Sequence, residues 1–166
     1  VVEAKSHLSW LQAIRDELRT LDDNHTWDLI PLPAGKQVVG SKWIYTVHLN
    51  ADSILHRLKV KLVAKGFAQA YGVDYFDTFS PIAKIASVQL FISLTAHHHW
   101  SLRQLDVKNV FLRGFLEEEI YLQQTHGFRA SGADSHACRL RRSLYGLKES
   151  PCAWFGRFCT VIATFG

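Results

Sequence analysis

Two runs rich in β-branched and aromatic residues, Val38 to His48 and Leu55 to Val63, flank Leu49-Asn50-Ala51-Asp52-Ser53. That pattern predicts a β-hairpin. Between Lys36 and Lys65 lie six basic residues (Lys36, Lys42, Arg57, Lys59, Lys61 and Lys65) against one acid, Asp52, a local balance of +5. Residues 1–35 hold three basic and six acidic groups, so the basicity of the chain belongs to the hairpin. Side chains two apart on a strand point the same way, which puts Arg57, Lys59 and Lys61 on one face. Three cations in a row suit a polyphosphate or a nucleic-acid backbone. The same row also reads as a solvated edge strand guarded against aggregation by its charges.

The rest of the chain has helical and extended stretches. Leu8, Leu11, Ile14, Leu18 and Leu21 recur at helical spacing, with Arg15, Asp16, Glu17 and Arg19 between them, which predicts an amphipathic helix from Ser6 to about Leu21, ended by Asp22-Asp23-Asn24. A short strand is expected at Thr26 to Ile30, and loops at Pro31 to Gly35 and Tyr71 to Pro81. Ser87 is the expected cap of a helix whose Val88, Leu90, Phe91, Ile92 and Leu94 require burial on most sides. Leu102 to Val107 reads as a strand, with weaker strands at Ile120 to Leu122 and Ala137 to Leu140. Ser150-Pro151 predicts the cap and first position of a closing helix with Trp154, Phe158, Val161, Ile162 and Phe165 on one face.

Length and composition allow one domain or part of one. The 166 residues are 48% apolar and 12% aromatic, enough for a real core, with a net charge of +4. No apolar run approaches a membrane span, and Val1-Val2-Glu3-Ala4-Lys5 lacks a signal segment, so a soluble chain without a membrane partner is expected. Three cysteines without a C-x-x-C pair fit a reducing compartment. Methionine is absent, including at position 1, so the chain reads as an excised or decayed fragment.

Asp106, at the tip of an expected strand, can face a hard cation together with backbone carbonyls, or simply cap the next turn. His97-His98-His99 point in different directions on a helix and do not predict zinc. Glu117-Glu118-Glu119 reads as a solvated run.

Leu105-Asp106-Val107-Lys108-Asn109-Val110-Phe111-Leu112 closely resembles the first catalytic motif of copia-type retrotransposon reverse transcriptases. Further matches follow in family order, among them Asn24-His25-Thr26-Trp27-Asp28-Leu29, Lys61-Leu62-Val63-Ala64-Lys65-Gly66-Phe67, Tyr71-Gly72-Val73-Asp74-Tyr75, Thr78-Phe79-Ser80-Pro81 and Ser143-Leu144-Tyr145-Gly146-Leu147-Lys148. The resemblance implies an α+β fold with the right-hand polymerase architecture. Residues of about 6–100 would supply the N-terminal helix, fingers hairpin and palm helix, and about 101–166 the first catalytic strand and second substrate motif. It implies RNA-directed DNA synthesis with an RNA template, a DNA primer and deoxynucleotides as partners, inside a polymerase polyprotein and an intracellular setting, either a cytoplasmic particle or the nucleus. Asp106 would ligate two magnesium ions with the Val107 carbonyl assisting. Phe111 would block a ribose 2′-hydroxyl. Arg57, Lys59, Lys61 and Lys65 would meet the triphosphate, and Tyr145, Gly146 and Lys148 would line the nucleotide.

The same resemblance marks what is missing. The family takes its other catalytic carboxylates from a Tyr-x-Asp-Asp hairpin downstream of these residues, so magnesium is expected only with them and the isolated chain is expected to be inactive. Lys61, Val110, Ser53, Glu149 and Cys152 stand where arginine, alanine, glycine, glutamine and arginine are usual, which looks like drift. Two rivals remain: a non-catalytic nucleic-acid-binding module, and an interaction scaffold with exposed strand edges and apolar surface.

Overall fold

The C-terminal end of the first described helix is set by its own sequence, while the start predicted at Ser6 lies outside the described residues. In the computed structural model, which describes residues 8–50, 52, 55–72, 75, 78, 82–125 and 135–165, α1 spans Leu8–Asp23. Its last carbonyls are satisfied locally. Asn24 donates to the Thr20 carbonyl from its backbone at 3.2 Å and from Nδ2 at 2.6 Å. His25 turns left-handed with φ 48°, and Thr26 returns its N–H (3.0 Å) and hydroxyl (2.6 Å) to the Leu21 carbonyl. Ile14, Glu17 and Leu21 are the buried residues of the helix.

The strands form two sheets. β1 (Trp27–Pro31), β2 (Val38–Val39), β5 (Tyr121–Leu122) and β6 (His136–Leu140) make a four-stranded sheet in the order β1-β6-β5-β2. β6 runs antiparallel to both neighbours, with Trp27 opposite Leu140 and Tyr121 opposite Arg139, while β2 and β5 are parallel. β3 (Ser41–Leu49) and β4 (Leu55–Ala64) are the predicted hairpin, with Trp43 opposite Leu62, Ile44 opposite Lys61 and an irregularity between His48 and Leu49. Ala51 and Ser53 of the predicted turn lie outside the described residues. The β run from Val38 therefore serves two sheets and changes sheet at Gly40, whose carbonyl accepts the Lys65 N–H at 2.8 Å.

One core lies between these layers. Leu21 of α1, Leu62 of β4, Leu122 and Leu140 of the larger sheet, and Leu112 and Leu144 from the connecting segments belong to a single buried cluster, with Trp27 and Trp43 packed against it. A mixed α+β fold follows from this arrangement.

Four sequence expectations differ from the structure. α2 spans Ile85–His97, with Lys84 and not Ser87 at its cap; the Ser87 and Val88 N–H groups donate to the Lys84 carbonyl at 2.9 and 3.2 Å. None of its residues is buried, because no described element packs extensively over it, and Phe91 remains 69% exposed. Leu102 to Val107 forms no strand: it finds no ladder partner among the described residues, and Leu105 is 86% exposed. The closing helix α3 spans Ser150–Ala163 with Glu149 at its cap. Ser150 does not cap it because its hydroxyl turns back to donate to the Leu144 carbonyl at 2.6 Å, and Pro151 is therefore the second residue of the helix and not the first. Of the loop from Tyr71 to Pro81, Val73, Asp74, Phe76, Asp77 and Phe79 to Pro81 lie outside the described residues.

Candidate functional site

The outer edge of β4 organises the site. Its Leu62 N–H donates to Glu17 Oε1 of α1 at 3.4 Å, and its Ala64 N–H to the Tyr145 carbonyl at 2.7 Å. The loop carrying Tyr145 reaches that edge because it contains glycine. Gly146 has φ 90°, and a Cβ there would overlap the Ala64 carbonyl and a Val63 methyl; a Cβ on Gly66 would overlap the Gly146 carbonyl. Gly146 thus lies backbone to backbone with β4.

Lys61 bridges these elements. Its Nζ donates to Glu17 Oε2 at 3.1 Å and to Asn109 Oδ1 at 2.6 Å, and stands 5.2 Å from the centre of the Tyr145 ring. Asn109 is left-handed (φ 52°, ψ 43°) at the entry to a 3-10 turn, Val110–Arg113. That turn carries Phe111, whose ring meets Tyr145 edge to face at 4.8 Å, and whose carbonyl accepts the Ser143 hydroxyl. Burial, then the carboxylates of Glu17 and Asp106, push the Tyr145 phenol above its ordinary range. Asp106 itself lies on an exposed segment, three residues before Asn109.

Of the residues singled out in the sequence, Tyr145 packs against both Lys61 and Phe111, and Asp106 lies on the exposed segment leading to the turn that carries Phe111. Arg57 and Lys59 share the strand face of Lys61 and are exposed further along the hairpin. Lys65 and Lys148 are exposed; the Lys148 N–H donates to Gln69 Oε1 at 3.0 Å, and Gln69 Nε2 donates to both oxygens of buried Glu149 at 3.2 and 3.1 Å. Val107 is half exposed beside Asp106.

Sequence reasoning missed Glu17 and Asn109. Glu17 follows Ile14 by three and precedes Leu21 by four, which puts it on the apolar stripe and was the available signal. Nothing in the sequence marks Asn109 as the lysine's partner.

Among the described residues, no three His, Cys, Asp or Glu side chains come together as a metal site requires. Asp106 brings one carboxylate, and magnesium with one carboxylate stays mostly water-bound, so the residues present do not by themselves fit a held ion. His98 stacks on Trp100 at 5.0 Å. A separate cationic group was also unforeseen: Arg142 lies 3.8 Å from the Phe115 ring centre and Arg157 5.7 Å from it. Burial and the neighbouring charges of Arg157 and Arg113 lower the Arg142 pKa.

Residues 24–166 match the family described as reverse transcriptase (RNA-dependent DNA polymerase). The chain belongs to that family. It is 41% identical over 166 residues to the Retrovirus-related Pol polyprotein from transposon RE2 of Arabidopsis thaliana, covering 99% of this chain and 11% of that protein. The polyprotein from transposon RE1 of the same plant is 39% identical over 166 residues, again 99% and 11%, and that from transposon TNT 1-94 of Nicotiana tabacum 41% over 148 residues, 89% and 11%. The chain thus spans about a tenth of the length of these curated relatives. No solved structure matches it. Its reverse transcriptase domain is of the retrotransposon Pol type.

Proposed function

We propose that the chain is the fingers and first palm portion of an RNA-directed DNA polymerase and presents the nucleotide-facing side of its active site. The observation that carries this reading is the packing of Tyr145 against both Lys61 and Phe111, at 5.2 and 4.8 Å. In it, Lys61 takes the triphosphate, with Arg57, Lys59, Lys65 and Lys148 as outer phosphate contacts. Phe111, braced edge-on by Tyr145, excludes a ribose 2′-hydroxyl. The Gly146 loop, fixed against β4, holds Tyr145 beside the sugar. Asp106 and the Val107 carbonyl contribute to magnesium only jointly with other carboxylates. No Tyr-x-Asp-Asp occurs in these 166 residues, so polymerisation by this chain alone is not expected. RNA template, DNA primer and the remainder of a Pol polyprotein are the partners this implies.

The test is primer extension on an RNA template with magnesium, comparing the chain alone with a form extended through an intact Tyr-x-Asp-Asp hairpin and the rest of the polymerase. Extension by the longer form only, abolished by Asp106→Asn, is the expected result. Undiminished synthesis by the Asp106→Asn form would overturn the assignment.

A second reading, an interaction scaffold, is favoured by α2, where Leu90, Phe91 and Ile92 are 60%, 69% and 51% exposed. A monodisperse monomer that binds no apolar dye would argue against it.

A further inference from the structure

α1 delivers a buried carboxylate, that of Glu17, to the Tyr145 cluster. Glu17 is 7% exposed and sits between Ile14 and Leu21 on the stripe that faces the core. A charge in that position is costly unless it is paired and hydrogen-bonded. Both oxygens are engaged: Oε1 accepts the Leu62 N–H at 3.4 Å, and Oε2 accepts from Lys61 at 3.1 Å. The tie to the β4 backbone keeps the carboxylate from swinging away.

Lys61 has three N–H donors. Glu17 and Asn109 take two of them, at 3.1 and 2.6 Å, which leaves the third on a side chain 18% exposed beside the Tyr145 ring. A phosphate oxygen on that third donor stands within about 6 Å of the Glu17 carboxylate, where like charges at an effective dielectric near 20 repel strongly. Resting on the nucleotide reading above, we infer that Glu17 is a resident counter-anion of the polyphosphate site: it holds Lys61 in place, and its charge competes with phosphate for the same ammonium. The affinity of the site is thereby set below what Lys61 alone would give.

This arrangement produces two effects of opposite sign, which a purely structural ion pair does not. Glutamine at position 17 keeps a carbonyl acceptor for Lys61 and removes the competing charge. The experiment is calorimetric titration of the 166-residue chain with inorganic tripolyphosphate, with the melting temperature recorded in parallel. Glu17→Gln is expected to bind about tenfold tighter than wild type while melting at a lower temperature. The gain should vanish in a Lys61→Ala background. Asn109→Asp, which places a second carboxylate on the same ammonium, should bind more weakly without loss of stability, and it serves if Glu17→Gln does not fold. Unchanged or weaker binding by Glu17→Gln, with Lys61→Ala weakened, overturns the counter-anion and leaves the nucleotide reading standing. Lys61→Ala binding like wild type removes Lys61 from the anion site and overturns both. A gain that persists without Lys61 also overturns the inference.

Discussion

The Lys61 ammonium and the Asn109 side-chain oxygen lie 2.6 Å apart, although 48 residues separate them in the chain. That hydrogen bond joins the basic hairpin to the turn that follows Asp106. Through Glu17 the same ammonium is joined to α1 as well, so three segments distant in sequence are held at one cation.

Removing that cation strands a buried acid. Lys61→Ala leaves Glu17 without its counter-charge, and loss of one partner of a largely buried pair costs about 3–5 kcal/mol, somewhat less here because Lys61 is 18% exposed. Urea denaturation measures the loss. Replacing both partners, as Lys61→Met with Glu17→Leu, should recover most of it.

Gly146 tolerates no side chain. Its φ of 90° disfavours any L residue, and a Cβ would overlap the Ala64 carbonyl. Gly146→Ala should destabilise the chain by about 2–5 kcal/mol, the strained backbone and the overlap each contributing. A shift in the denaturation midpoint without a change in slope checks this. A change within about 0.5 kcal/mol would mean that the loop does not rest on β4.

The cysteines should differ sharply in reactivity. Burial pushes the Cys138 thiol up to about 11 from an ordinary 9.0, whereas Cys159 is exposed. At pH 8 a thiol reagent should label Cys159 rapidly and Cys138 only on unfolding. Because the folded value is raised, the stability Cys138 contributes is complete below about pH 9 and is lost as pH rises through about 11. A melting curve followed across that window tests the sign.

Nucleic-acid binding should report the exposed cations selectively. Arg57 and Lys59 face solvent, while Lys61 is already paired. Neutralising Arg57 and Lys59 together should reduce the slope of log affinity against log salt on duplex by about 1.8, at about 0.9 for each phosphate that no longer meets a cation. An unchanged slope would place the backbone elsewhere on the surface.

Phe111 should govern sugar choice. In the extended polymerase, Phe111→Ala opens the space beside Tyr145, and ribonucleotide incorporation relative to deoxynucleotide should rise by at least tenfold. Single-nucleotide incorporation kinetics decide it.

What could be read from the sequence followed the range of the forces involved. The hairpin was legible because alternation is local, and so was the C-terminal end of α1, where Asn24 and Thr26 satisfy nearby carbonyls. The division of the β run at Gly40 was not, since it depends on β5, some eighty residues away. Leu102 to Val107 has strand composition, but a strand exists only in a ladder. The apolar character of α2 was plain in its residues, whereas its exposure depends on what packs over it. In the site, Asp106, Phe111 and Tyr145 were legible through motif resemblance. Glu17 reads as a spacer on the polar side when its charge is weighed above its position on the helix, and the structure shows that position to be the better guide.

The two hydrogen bonds along the outer edge of β4 also govern the solution behaviour of the chain. With the Leu62 N–H held by a carboxylate and the Ala64 N–H held by the Tyr145 loop, this end of the strand offers no free donors to a strand from another molecule. A segment of valines and leucines with high β-propensity is thus blocked from templating fibrils by a helix and a loop as well as by its lysines. Loosening either hydrogen bond should first show itself as fibrillation.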